Sequence, residues 1–67
     1  MSFTLYRVDF TARPVDESID IRKRIDRVAY TGYAFRHDDV RVGEFTLSDE
    51  SELDLLQIPD WAKIRQI

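Results

Sequence analysis

No cysteine occurs among the 67 residues of this chain, and that absence decides what can hold so short a chain together. Domains of this size commonly lean on disulfides or a structural metal, because a short chain buries too small a share of its surface. Apolar packing must suffice here. Small-domain scaling gives a folded surface of about 4,450 Å² and burial of about 62% of the unfolded chain's surface. The expected stability is about 3–10 kcal/mol. Apolar residues make up 43% of the chain, which supports one modest core and one compact domain over residues 1–67. A cysteine-free small domain fits a reducing cytosol better than a secreted scaffold, so the expected location is cytoplasmic. No apolar run approaches the ~18–20 residues that span a bilayer, and Met1-Ser2-Phe3-Thr4-Leu5-Tyr6-Arg7 lacks the basic-then-apolar order of a signal peptide. No membrane partner is expected.

The elements follow from apolar spacing. Phe3 to Ala12 alternates, with Tyr6, Val8 and Phe10 on one face and Leu5, Arg7, Asp9 and Thr11 on the other, as a half-buried strand does. Arg13-Pro14 stops it, and Asp16 offers an N-cap for a helix over 16–29 in which Ile21, Ile25 and Val28 fall at i, i+4 and i+7. The β-branched content of that stretch keeps a strand as the rival reading. Tyr30 to Phe35 and Val40 to Leu47 read as the arms of a hairpin joined by Arg36-His37-Asp38-Asp39. Gly32 suits a left-handed stop after the helix. Gly43 suits a bulge, because Val40 and Val42 fall on the opposite parity from Phe45 and Leu47.

Beyond the hairpin, Asp49 and Glu52 are spaced as a capping box ahead of Leu53, Leu55, Leu56 and Ile58, and Pro59 ends that short helix. Trp61, Ile64 and Ile67 recur at i, i+3 and i+6, which predicts a last helical turn or two. The sum is β-α-β-β-α-α, an α+β domain with a short antiparallel or mixed sheet and helices on one face.

Charge is unevenly spread. Residues 1–37 hold seven Lys/Arg and five Asp/Glu, whereas residues 38–67 hold three and eight, for a whole-chain net charge of -3. Between residues 38 and 60 eight carboxylates face only Arg41. A rigid display of that kind can imitate the phosphate line of a nucleic acid and occupy a basic protein surface. The leading expectation is therefore a small protein-binding regulator or inhibitor. Its partner is a protein with a basic, nucleic-acid-binding surface, engaged through Asp38, Asp39, Glu44, Asp49, Glu50, Glu52 and Asp54, with Trp61 as apolar anchor. Core packing is the competing reading for Trp61, and helix capping with solubility is the competing reading for the carboxylates.

Catalytic and metal constellations are scarce. His37 is the sole imidazole, only two glycines are present, and no nucleophile elbow or phosphate-cradling loop occurs. His37 with Asp38 and Asp39 falls short of a closed metal site, and Asp49, Glu50, Glu52 and Asp54 lack the calcium-loop spacing and its glycine. No enzyme activity, cofactor or metal is expected.

Gly32-Tyr33-Ala34-Phe35 is similar to the G-[FY]-[GA]-F centre of the RNA-recognition-motif signature over four residues. It departs from the signature at Thr31, Arg36 and Asp38, and the chain is short for that fold. The resemblance implies stacking of unpaired bases on strand aromatics. Independently of it, Tyr30, Tyr33 and Phe35 with Arg22, Lys23, Arg24 and Arg27 would form a basic-aromatic surface for single-stranded nucleic acid, the alternative function, with a core aromatic strand beside a solvated helix face as the competing reading. A third reading is an assembly subunit that forms homo-oligomers through strand edges or the Leu53 to Ile58 helix.

Overall fold

The computed structural model describes residues 3–67. Strand β1 (Thr4–Asp9) leads through a 3-10 turn (Val15–Ser18) into helix α1 (Ile19–Val28), then strands β2 (Ala34–Phe35) and β3 (Val42–Leu47). A second 3-10 turn (Glu50–Glu52) opens helix α2 (Leu53–Leu56), and strand β4 (Lys63–Gln66) closes the order. The sheet runs β2-β3-β1-β4, with every neighbouring pair antiparallel. Since β1 and β2 both oppose β3, α1 joins two parallel strands across an intervening one. Likewise α2 joins β3 to β4 across β1. The arrangement is a doubled split β-α-β unit, and the expected α+β class holds.

One core lies between the sheet and the helices. Tyr6, Val8 and Phe10 from the first strand and its end meet Phe45 and Leu47 of β3, Ile21, Ile25 and Ala29 from α1 and its end, and Leu56 of α2. Ile25 and Leu56 are wholly buried. The alternation along Thr4–Asp9 and the helical spacing of Ile21 and Ile25 thus did what their periods require. The accessible surface, 4609 Å², is close to the scaling value of about 4,450 Å². Ser18 is the buried polar residue at the helix start. Its hydroxyl donates to the Val15 carbonyl at 2.7 Å and accepts from Arg22 Nε at 3.1 Å, so its burial leaves no hydrogen bond unmade.

Four local expectations are corrected. Within residues 61–67, Lys63–Gln66 form a strand instead of a helical turn. Ala62 N donates to the Pro59 carbonyl at 3.1 Å, which reverses the chain, and Lys63–Gln66 then satisfies the free edge of β1 with Ile64 opposite Val8. So short a helix would gain little in isolation, whereas an unpaired central strand would leave a row of backbone groups without partners. Gly43 is not a bulge, because the β1–β3 register runs unbroken from Thr4↔Leu47 to Asp9↔Val42. The residue is small there because the Tyr33 ring lies over it. Asp16 caps nothing: it sits inside the first 3-10 turn, whose N-cap is Pro14 and has no side-chain bond. Gly32 does have φ +74, but α1 has already ended, with Ala29 as its C-cap. The Asp49–Glu52 capping box is formed as expected. No helix among the described residues is long and apolar enough to cross a membrane.

Candidate nucleic-acid interface

Helices cover one face of the sheet, and the residues of opposite parity define the other. Along the first strand that open face carries Leu5, Arg7 and Asp9; along β3 it carries Thr46, Glu44 and Val42; along β4 it carries Arg65 and Lys63. Arg36 extends β2 through Arg36 N to the Val42 carbonyl at 2.8 Å. The face therefore holds four cations, Arg7, Arg36, Lys63 and Arg65, against two carboxylates, Asp9 and Glu44, in a chain of net charge -3.

Two grooves open on this face and meet at Arg7. One, of about 490 Å³, is lined by Arg7, Ala34, Phe35, Arg36, Val42, Gly43 and Glu44. The other, of about 310 Å³, is lined by Arg7, Asp9, Lys63, Ile64 and Arg65. Arg7 stands directly opposite Arg65 on one side and Glu44 on the other. It donates from Nε at 3.1 Å and Nη2 at 2.7 Å to a single oxygen, Glu44 Oε2. Asp9 accepts from the Thr11 hydroxyl and N–H, and these bonds hold its carboxyl below the usual range.

An apolar patch adjoins the cations. Phe3 continues the alternation of Leu5 and Arg7, and its ring stacks on Tyr30 at 4.4 Å and 21°. Ile67 N donates to the Leu5 carbonyl at 2.9 Å, which carries the β4 alternation one step past Arg65. Phe3, Leu5, Tyr30 and Ile67 are 42%, 38%, 68% and 55% exposed. Exposed apolar side chains gathered beside charge mark interaction surfaces more often than scattered ones do.

The residues singled out from sequence are distributed otherwise. Asp38 and Asp39 lie before β3, and Asp49, Glu50, Glu52 and Asp54 lie after it, so a strand about 17 Å long separates the two groups. Most are already engaged. Asp38 pairs with Arg36 at 2.9 Å, and Asp39 pairs with Arg41 at 2.9 Å. The Arg41 side chain and N–H hold the Asp39 carboxyl below its ordinary value. Asp49 accepts from Ser51 N at 2.9 Å, and Glu52 accepts from Ser48 N, the Ser48 hydroxyl and Asp49 N. Glu50 and Asp54 take part in no ion pair among the described residues. Trp61 is partly buried, edge-on to Phe10 at 5.8 Å, with the Arg13 guanidinium 5.7 Å from its ring centre.

On α1 the cations point apart. Arg22 turns to Ser18, Arg24 reaches α2, and Lys23 and Arg27 share an exposed stripe four residues apart. Tyr33 packs between Phe10 and Phe35 on the helix side of the sheet, its hydroxyl donating to the Val40 carbonyl at 2.8 Å. Burial pushes the Tyr33 phenol up to about 12, with Arg22 pulling the other way. The Gly32–Phe35 tetrapeptide thus lies on and before the edge strand β2, with Tyr33 turned inward.

The helical spacing of Trp61, Ile64 and Ile67 puts Lys63 and Arg65 on a helix and so hides the open face. The signal for it was present: Lys63-Ile64-Arg65 alternates as an edge strand does. His37 is exposed in the loop between β2 and β3, and no group of three metal-ligating side chains comes together among the described residues. No protein-family model matches the chain, and comparison with curated proteins and solved structures finds no significant relative.

Proposed function

We propose that this chain is a single-stranded nucleic-acid-binding module and that it binds through the open face of its sheet. The observation that carries the reading is the row of cations Arg7, Lys63 and Arg65 on that face, from which Leu5 leads along the first strand to Phe3 and the exposed ring that Phe3 stacks on, Tyr30. Cations that track a phosphate backbone beside aromatic rings that accept bases are the two components of sequence-tolerant single-strand binding. Unpaired bases fit better than a duplex, whose bases are already stacked. Face-to-face pairing of two copies is the weaker fit, since it would set Arg7 and Arg65 of one copy against the same cations of the other.

Fluorescence anisotropy with unpaired RNA and DNA oligonucleotides, and with a duplex of equal length, tests the reading. Binding to the unpaired strands should appear at low salt and weaken with a log–log slope of about -0.7 per phosphate contact. Replacing Lys63 and Arg65 with Glu should abolish it while circular dichroism is unchanged. Substituting Phe3 or Tyr30 by Ala should weaken it about 5- to 100-fold, the loss of one stacked base. Absence of binding to any unpaired strand at low salt overturns the proposal.

A second reading, the acidic protein-binding regulator, is favoured by one observation. Leu55 is 61% exposed on the helix that also carries Asp54, just after Glu50. An apolar anchor framed by unpaired carboxylates suits a basic protein partner. Affinity capture after nuclease treatment should then retain a basic protein, and replacing Glu50 and Asp54 with Lys should release it. Capture that ignores both the charge reversal and added salt excludes this reading.

A further inference from the structure

We propose that Glu44 is a built-in competitor for the nucleic-acid backbone: it holds Arg7 in the unbound protein and yields it to a phosphodiester, which Arg7 and Arg65 then clamp together. The inference rests on the nucleic-acid reading above and assigns the regulation of that same surface.

Three strands contribute one row, Glu44 of β3, Arg7 of β1 and Arg65 of β4, in direct register. Like charges directly opposite one another in an antiparallel pair repel, so the Arg7–Arg65 neighbours call for an anion between or beside them. Glu44 answers for Arg7 alone. Arg65 joins no ion pair among the described residues. Nor is the Glu44 bond the strongest that a guanidinium can make. Arg7 directs two donors to one oxygen, and Glu44 Oε1 takes no hydrogen bond from it, in place of the two parallel bonds of a fork-on-fork pair.

Both side chains are partly exposed, and an exposed pair of this kind holds weakly enough to exchange. A phosphodiester approaching along either groove meets Arg7, because Arg7 lines both. Its two free oxygens and single charge match two adjacent guanidiniums, and Lys63 on the same face takes the next phosphate. The exchange is of counter-ions only, with Glu44 passing from Arg7 to water. Its consequence is selectivity by strength: an isolated weak anion does not displace a tethered carboxylate, whereas a chain of phosphates with stacked bases does.

Anisotropy with a fluorescent oligothymidine separates the outcomes. Glu44→Gln should tighten binding about two- to fivefold, the reciprocal of an exposed pair's worth. The bound state makes the same phosphate contacts in both proteins, so the salt slope should change by less than the ~0.7 of one contact. In an Arg7→Gln background the same Glu44→Gln change should do nothing. Equal tightening in both backgrounds would mean that Glu44 merely adds negative charge to the face, and that result overturns the proposal while leaving the nucleic-acid reading intact. No binding by the unaltered protein removes both. Should Glu44→Gln fail to fold, the Arg7 Nε–H resonance of the unaltered protein decides: it should shift on saturation with the oligothymidine, and an unmoved resonance overturns the exchange.

Discussion

Arg24 reaches out from α1 and donates through Nε to the backbone carbonyl of Leu56 at 2.9 Å, with Nη2 at 3.4 Å from the carbonyl of Gln57. Those carbonyls close α2, and the chain turns left-handed there, Gln57 having φ 52. A four-residue helix has almost no stability of its own, so this guanidinium, together with the buried Leu56 side chain, ties its end to the rest of the protein. Arg24→Met keeps the stem and removes the donors. It should cost about 1–2 kcal/mol and lower Tm by about 4–8 °C per kcal/mol, measured by thermal circular dichroism.

Gly43 should tolerate no side chain. A Cβ there would stand 2.6 Å from Tyr33 Cζ, 2.7 Å from Tyr33 Cε1 and 2.9 Å from the Ala34 carbonyl oxygen. Gly43→Ala should destabilise by about 1–3 kcal/mol, read from urea unfolding midpoints. The ring can be removed but the carbonyl cannot. The penalty should therefore shrink, without vanishing, in a Tyr33→Ala background; an equal penalty in both backgrounds would assign the conflict to β2 backbone alone.

Alkaline titration should find Tyr33 late, because burial of part of its ring pushes the phenol up to about 12. Since its pKa is raised on folding, the stability that this burial contributes is complete below the unfolded value near 10 and is lost as pH rises through about 12. Tyrosinate absorbance should show a late-titrating component that is missing in Tyr33→Phe. The loss of stability between pH 10 and 12 should be shallower in that variant.

At the acid end the sign reverses. Asp9, Asp39 and Asp49 are all held below the ordinary carboxylate value of 3.8, Asp9 by Thr11, Asp39 by Arg41 and Asp49 by the Ser51 N–H and hydroxyl. Their contributions are present above that value and disappear as pH falls through each lowered pKa. Tm should be flat near neutrality and fall below about pH 4. Asp49→Asn should reduce that acid sensitivity and leave the α2 segment less protected from hydrogen exchange.

Most of the architecture was legible where period and burial agree. Tyr6, Val8 and Phe10 fixed a strand with one inner face, and Ile21, Ile25 and Val28 a helix over it. The Asp49–Glu52 pair gave the start of the second helical segment. The C-terminus was misread because Trp61, Ile64 and Ile67 satisfy a helical spacing, while the need of β1 for a second partner is a property of the whole sheet that no local window contains. Gly43 was misread for the same reason, since the ring that excludes a side chain there comes from Tyr33, a neighbour only across the strands. The proposed binding surface depends on the first of these. Arg7 and Arg65 are 58 positions apart in the sequence, and only the β1–β4 register makes them neighbours. Charge counting finds the acidic run, but it cannot see that Asp38, Asp39, Asp49 and Glu52 are engaged in local ion pairs and caps while Glu50 and Asp54 are in no ion pair among the described residues.

The position of β1 between β3 and β4 has a consequence for how the chain folds. β4 has β1 as its sole strand partner among the described residues, and β3, though also joined to its sequence neighbour β2, meets β1 across a long stretch of chain. Closing such long loops precedes any reward from pairing, so this chain should fold more slowly than a helical bundle of its size. The same arrangement makes assembly all-or-none: the amides of β1 should be the last to exchange with solvent, opening only when the entire molecule does.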